Sequence, residues 1–205
     1  EGVKFIIGEI ASNATKAMIP TIEGNDAFLF APASSGPILT NISNRFARNW
    51  PSDDFEAGFA SKYAIEKFKC NKPIILYVNS DYGKGLKDKF IKDLISAKKN
   101  ILDTISFEVN QTDYKTIIGK IKQKNPDCIY LAGNPKEMGR FMKQTKEQNY
   151  TCNIISNTGF LQPDCLNLAQ DAANNVIVPT PKTSDKNNTI KSVLLFQKLF
   201  KLKYK

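Results

Sequence analysis

Short runs that are apolar at every position recur along this chain. Each is followed by a segment whose apolar residues repeat with helical spacing. A strand with no polar alternation is a strand covered on both faces, the condition of a parallel sheet flanked by helices. The pattern is clearest in the middle. Pro73–Asn79, Thr104–Val109, Cys128–Ala132, Asn153–Asn157 and Asn175–Pro179 read as strands. Between them, Gly83–Ala97 carries Leu86, Phe90 and Leu94 one turn apart, and Tyr114–Lys124 carries Ile117, Ile118 and Ile121 on one stripe. Pro135–Asn149 runs through Met138, Phe141 and Met142, and a short helix surrounds Leu166. Before this series, Val3–Gly8, Ala27–Ala31 and Phe46–Asn49 read as strands, Asn13–Glu23 and Ser52–Phe68 as helices, and Pro37–Thr40 as a turn. Ile190–Lys203 reads as a basic amphipathic helix. The alternation predicts an α/β chain with parallel sheets. Pro51 and Pro179–Pro181 mark the junctions between two lobes: residues 1–50 with the tail 182–205 returning to them, and residues 51–181.

Of the 205 residues, 41% are hydrophobic, enough for a sizeable core. No run approaches the roughly 20 apolar residues that span a bilayer. The chain contains no histidine, which removes His-dependent triads, His-ligated metals and the usual general base near neutral pH. Its four cysteines include no CxxC pair, so no metal is expected. Cys128, inside an apolar strand, reads as a small core residue; a disulfide among Cys70, Cys152 and Cys165 stays open. The formal charge is +9, but the lysines are spread over every predicted helix, and this argues for a solvated surface and against nucleic acid.

In open parallel sheets, ligands bind beyond the carboxyl ends of the strands. Those ends here carry Ala11–Thr15, Ala33–Gly36, Ser80–Gly83, Gly133–Asn134 and Asn157–Phe160. Nearly all are small hydroxyl, amide or glycine residues. Two of the stretches open a helix or turn, where free N–H groups and hydroxyls suit a carboxylate; ordinary helix capping is the competing explanation. An enzyme is poorly supported. No second carboxylate is placed beside Asp81 or Asp113, and Gly83-Lys84-Gly85 lacks the third glycine of a dinucleotide loop. No catalytic residue and no cofactor is expected.

The same stretches carry a resemblance. Phe5–Thr15 is similar to the IIGP-SS-AT segment of type I periplasmic binding proteins, Phe30–Thr40 to their SP-ATSP-LT segment, and Ser80–Leu86 to their DYGKGL turn. Asp113-Tyr114, Pro126–Gly133, Pro135–Met138 and Asp171–Ala173 continue in the same order over nearly the whole chain. The ordered set resembles the branched-chain amino acid receptors that feed ABC importers.

The resemblance implies two Rossmann-like lobes with parallel sheets, the type I periplasmic binding protein fold, closing on a small-molecule ligand. The first lobe is expected to be incomplete, and its exposed edge to favour a homodimer or other pairing. An extracytoplasmic location and an ABC transporter permease as partner are also implied; a ligand-sensing domain of the same fold is the alternative. By position, Ser12, Ala33, Ser34 and Ser35 would hold a ligand carboxylate, and Tyr82 would close over it. Asn134 stands where such receptors often carry tyrosine. Thr158 stands where they carry the acid that pairs with the α-ammonium. A buried cation without a counter-charge is costly. The expectation is therefore a pocket with a carboxylate half and no ammonium half.

Overall fold

The computed structural model describes residues 2–181, 187 and 189–204. Two separate parallel sheets are present. The first has the order β1-β2-β3, built from Phe5–Ile7, Phe28–Ala31 and Phe46–Arg48, with α1 (Ser12–Gly24) between its first two strands. After β3 the chain passes through α2 (Asp53–Glu66) into the second sheet, of order β5-β4-β6-β7. There β4 is Pro73–Val78, β5 Asp103–Phe107, β6 Cys128–Ala132 and β7 Asn153–Ser156. The linking helices are α3 (Asp81–Ser96), α4 (Lys115–Lys124) and α5 (Pro135–Glu147), and α6 (Pro163–Ala169) follows β7.

Alternation of side chains across the second sheet divides its core in two. On one face, Ile75, Tyr130 and Ile155 meet Ala57, Ala60 and Ala64 of α2 and Leu86, Phe90 and Leu94 of α3. The small residues of α2 let it approach closely. On the other face, Ile74, Leu76, Ile129 and Leu131 meet Ile118 and Ile121 of α4 and Met138 and Phe141 of α5. Each large side chain so buried contributes roughly 1.5–3 kcal/mol.

Local chemistry sets the ends of these helices. Ser80 caps α3 by accepting from the Gly83 N–H at 3.2 Å. Ser52 caps α2 through the Asp54 N–H, and α4 closes on left-handed Asn125 (φ 48°). Gly83 is obligatory for a packing reason. A Cβ there would lie 2.2 Å from the Val78 carbonyl oxygen. Gly83→Ala is therefore expected to lower stability by roughly 1–3 kcal/mol through overpacking and to shift the α3 N-terminus with Tyr82. Chemical denaturation of the variant checks this; an unchanged midpoint contradicts it.

Two expectations need correction. Cys128 is not a lone core residue: it is bonded to Cys70, with Cα atoms 6.0 Å apart. Pro73 of β4 lies opposite Cys128 in register, which brings the residues just before β4 to the start of β6. The Asp127 carboxylate adds to this junction by accepting from the Asn71 and Lys72 N–H groups at 2.7 and 2.9 Å. Asn175–Pro179 is not a strand. Only Ile177 bridges, to Ile155, before Pro179 and Pro181 deny the ladder its donors. The expected return of residues 182–205 to the first sheet falls partly on 182–186, 188 and 205, outside the described residues. Within that stretch α7 (Lys191–Lys203) is helical, as expected, and buries no residue.

The first sheet is thinner. Ile19 and Ile22 of α1 pack on Ala27 and Leu29, covering one face. On the other, Phe5 and Ile7 are 58% and 72% exposed although their strand is apolar throughout.

Candidate functional site

Segments that follow strand ends of the two sheets touch: Pro37, after β2, lies against Gly85 of α3, after β4. On the first-sheet side, the 33–36 loop after β2 packs against the N-terminus of α1. Ser12 is buried, and its hydroxyl accepts from the Gly36 N–H at 2.9 Å. Ser12 does not cap α1, and its own proton remains to be donated. Ser34 is different. Its hydroxyl donates to the Glu9 carbonyl at 2.7 Å and sits 2.5 Å from the Thr15 hydroxyl. Its side chain is engaged in holding the loop. Ala33 is half-buried and Ser35 buried beside it. The Ser35 carbonyl accepts the Asp53 N–H at 2.9 Å, tying this loop to the first turn of α2. Arg48 braces the loop by donating to the Gly36 carbonyl and the Thr40 hydroxyl, both at 2.8 Å.

On the second-sheet side, Tyr82 comes from the first turn of α3, and its hydroxyl accepts from the Asn157 amide at 2.8 Å. Asn157 also accepts from the Gly133 N–H at 3.0 Å and donates to the Gly133 carbonyl at 3.1 Å. It thus locks the ends of β6 and β7 together and fixes the phenol. Asn134 is half-buried at the start of α5 and does not cap it with its side chain. Where Lys16 of α1 meets Asp81 of α3, an ion pair of 3.1 Å joins the two sides.

Thr158 overturns the expectation of an uncharged position. Its N–H donates to Glu56 Oε1, and its hydroxyl donates to Glu56 Oε2 at 3.2 Å. A carboxylate is therefore present there, delivered from α2, 102 residues away in sequence. Asp53, one turn before it, is 1% exposed, and its Oδ2 has no hydrogen-bond partner. Burial raises the Asp53 carboxyl from its usual acidic range to about 7; the Ser35 hydroxyl and Arg48 pull it down, and Glu56 and Asp54 push it up. Burial likewise raises Glu56, against the two bonds from Thr158. The Tyr82 phenol is pushed up by burial and by both carboxylates. Asp53, Glu56 and Thr158, with Trp50, Phe55 and Pro179, line a cavity of about 120 Å³.

Asp53, Glu56 and Asn157 were missed as site residues. The two acids sit in the first turn of a helix, where negative charge is favoured for local reasons alone. Asn157 was visible only as a strand-end amide. Elsewhere, Glu137 is buried and accepts from the Asn110 N–H at 2.7 Å, while Asp164 lies exposed beside Lys136.

Comparison with known proteins agrees with this architecture. The Leu/Ile/Val-binding protein of Citrobacter freundii is 25% identical over 186 residues, covering 90% of this chain and 51% of that protein. Among solved structures, the branched-chain amino acid transporter substrate binding protein LivJ of Streptococcus pneumoniae, in complex with isoleucine, superposes with a TM-score of 0.85 at 23% identity; 98% of this chain and 57% of that one are covered. A solute binding protein of an R. palustris ABC transporter, in complex with benzoate, superposes with a TM-score of 0.82 at 17% identity, covering 98% and 55%. The fold is thus that of the type I periplasmic binding proteins, and the chain spans about half the length of these relatives. The sequence model described as "Periplasmic binding protein" matches residues 1–204. The chain belongs to the periplasmic binding protein family.

Proposed function

We propose that the complete protein is an extracytoplasmic solute-binding protein. It captures a small carboxylate or amino-acid-like ligand between two lobes and delivers it to the permease of an ABC importer. In this reading residues 1–50 and the tail 182–205 belong to one lobe and residues 51–181 to the other. The observation that carries it is the contact between segments that follow strand ends of two parallel sheets, Lys16 with Asp81 and Pro37 with Gly85, since such sheets bind ligands beyond their carboxyl ends. Support comes from relatives named for Leu/Ile/Val binding and from solved relatives holding isoleucine and benzoate. The disulfide between Cys70 and Cys128 suits an oxidising compartment. Among the described residues, no helix is long and apolar enough to cross a membrane.

In this reading the ligand carboxylate lies against the α1 N-terminus and the 33–36 loop. Ser12 donates its hydroxyl, Ala33, Ser34 and Ser35 contribute backbone, the Ser35 hydroxyl being held by Asp53, and Tyr82 closes from the other side with Asn134 and Thr158 flanking. Ser12→Ala is expected to weaken a carboxylate ligand by about 1–3 kcal/mol, the range for losing a charge-assisted bond, and Ser35→Ala, whose hydroxyl is held by Asp53, to weaken it less. Calorimetric titration of the full-length variants checks this. Unchanged affinity in both would assign these residues to loop structure alone.

A further inference from the structure

Three metal-ligating side chains converge at the amino ends of β4 and β6, the opposite end of those strands from the candidate ligand site. They are Cys70, Asp127 and Cys128, and one sulfur or oxygen atom of each lies within 4.8 Å of the other two. The sequence gives no sign of this set, because the two cysteines are 58 residues apart and only the register of β4 against β6 joins them. Both sulfurs are buried, while Asp127 is exposed and opens the group to solvent. Both Asp127 oxygens accept a backbone N–H, from Asn71 and Lys72 at 2.7 and 2.9 Å. A carboxylate oxygen has a second lone pair, so these bonds aim Asp127 without exhausting it. Cys152 stands apart. It packs on the opposite face of the sheet from Cys128, and its thiol donates to the Pro126 carbonyl at 3.7 Å.

While the two sulfurs are joined they offer a cation nothing. A phosphine opens the bond by giving it two electrons. Phosphorus takes the oxygen of one water, and that water's two protons make two thiols. The donor set then decides which cation fits. Calcium and magnesium take oxygen ligands, whereas a pair of thiolates selects a thiophilic ion such as zinc. A tetrahedral zinc holds two thiolates about 3.8 Å apart, and Cα atoms 6.0 Å apart leave room for that. Two thiolates and one carboxylate leave a single negative charge over a divalent ion, and Lys99, which donates to Asn71 at 2.8 Å, stands beside it. We propose that Cys70, Cys128 and Asp127 bind a thiophilic divalent cation when the cross-link is reduced, with water in the remaining position. Binding releases the two thiol protons to solvent. A small-molecule disulfide that removes two electrons closes the bond again and expels the cation. The junction of β4 and β6 thus has two alternative fasteners, chosen by redox state. The proposal stands apart from the reading of the ligand site.

The test uses the full-length protein, reduced with a phosphine and titrated with zinc chloride and, separately, with cadmium chloride. The reduced wild type is expected to take one zinc and to show the sulfur-to-cadmium absorption of two thiolates. It should also melt at a higher temperature with zinc than without, as for any ligand of the native state alone. The oxidised protein should show none of these. Asp127→Asn, which keeps the shape and loses the charge, should weaken zinc by at least about tenfold. Cys70→Ser should abolish the two-thiolate absorption, and Cys152→Ser should leave both readouts unchanged. Should reduction melt the chain, zinc is expected to restore its native circular dichroism. No binding to the reduced wild type, equal binding to the oxidised protein, or a reduced chain that zinc fails to refold overturns the proposal. Unchanged zinc affinity in either Asp127→Asn or Cys70→Ser, or a loss confined to Cys152→Ser, overturns it as well.

Discussion

Removing the Cys70–Cys128 bond, by Cys70→Ala/Cys128→Ala or by reductant in mild denaturant, is expected to destabilise the protein by about 4 kcal/mol. The bond closes a loop of 58 residues, and that figure follows from the entropy the unfolded chain regains. The melting temperature should fall on the order of 10 °C. Both sulfurs are buried at the junction of β4 and β6, so no compensating solvation is gained in the folded state. Reductant should lower the wild-type transition towards that of the double variant and leave the double variant where it is. Identical melting of the wild type with and without reductant would show that the bond adds nothing.

The second large effect concerns pH. Asp53 titrates near 7 when folded and near 4 when unfolded. Between those values the native state holds the proton more tightly, so stability falls as pH rises from about 4 to about 7, then levels off. The full difference corresponds to about 4 kcal/mol as an upper figure. Asp53→Asn removes this penalty. The ligand-free variant should therefore exceed the wild type by roughly 2–4 kcal/mol at pH 8 and match it near pH 4. Glu56 and Asp54 push Asp53 up, and Arg48 and Ser35 pull it down. Glu56, raised in the same direction, leaves a shallower slope of the same sign in the variant. Denaturant titrations across pH 4–8 measure it; a constant difference between variant and wild type would contradict it.

Much of the architecture was legible because it is periodic. The alternation of fully apolar runs with one-turn repeats identified β4, β5, β6 and β7 and the helices between them, each within a few residues. The site was less legible because its decisive contacts are not local. Glu56 and Thr158 meet only once α2 has packed on the second sheet, and nothing near either residue in sequence announces the other. An acid in a first helical turn already has a sufficient local reason to be there. Cys70 and Cys128 met the same obstacle: their pairing depends on the register of β4 against β6. Ser34 shows the converse. Its type and position suited a ligand, but the carbonyls of Glu9 and Ile10 claim its hydroxyl first.

The uneven clothing of the two sheets has a consequence for cooperativity. The second sheet is sealed on both faces and cross-linked, whereas the first relies on α1 over one face and leaves Phe5 and Ile7 open on the other. Local opening free energies follow the apolar area that must be exposed, so the first sheet is the unit that lets go first. The described residues thus form two melting units of unequal height. The enthalpy under a calorimetric trace is then their sum, while the steepness of the main transition belongs to the second sheet alone.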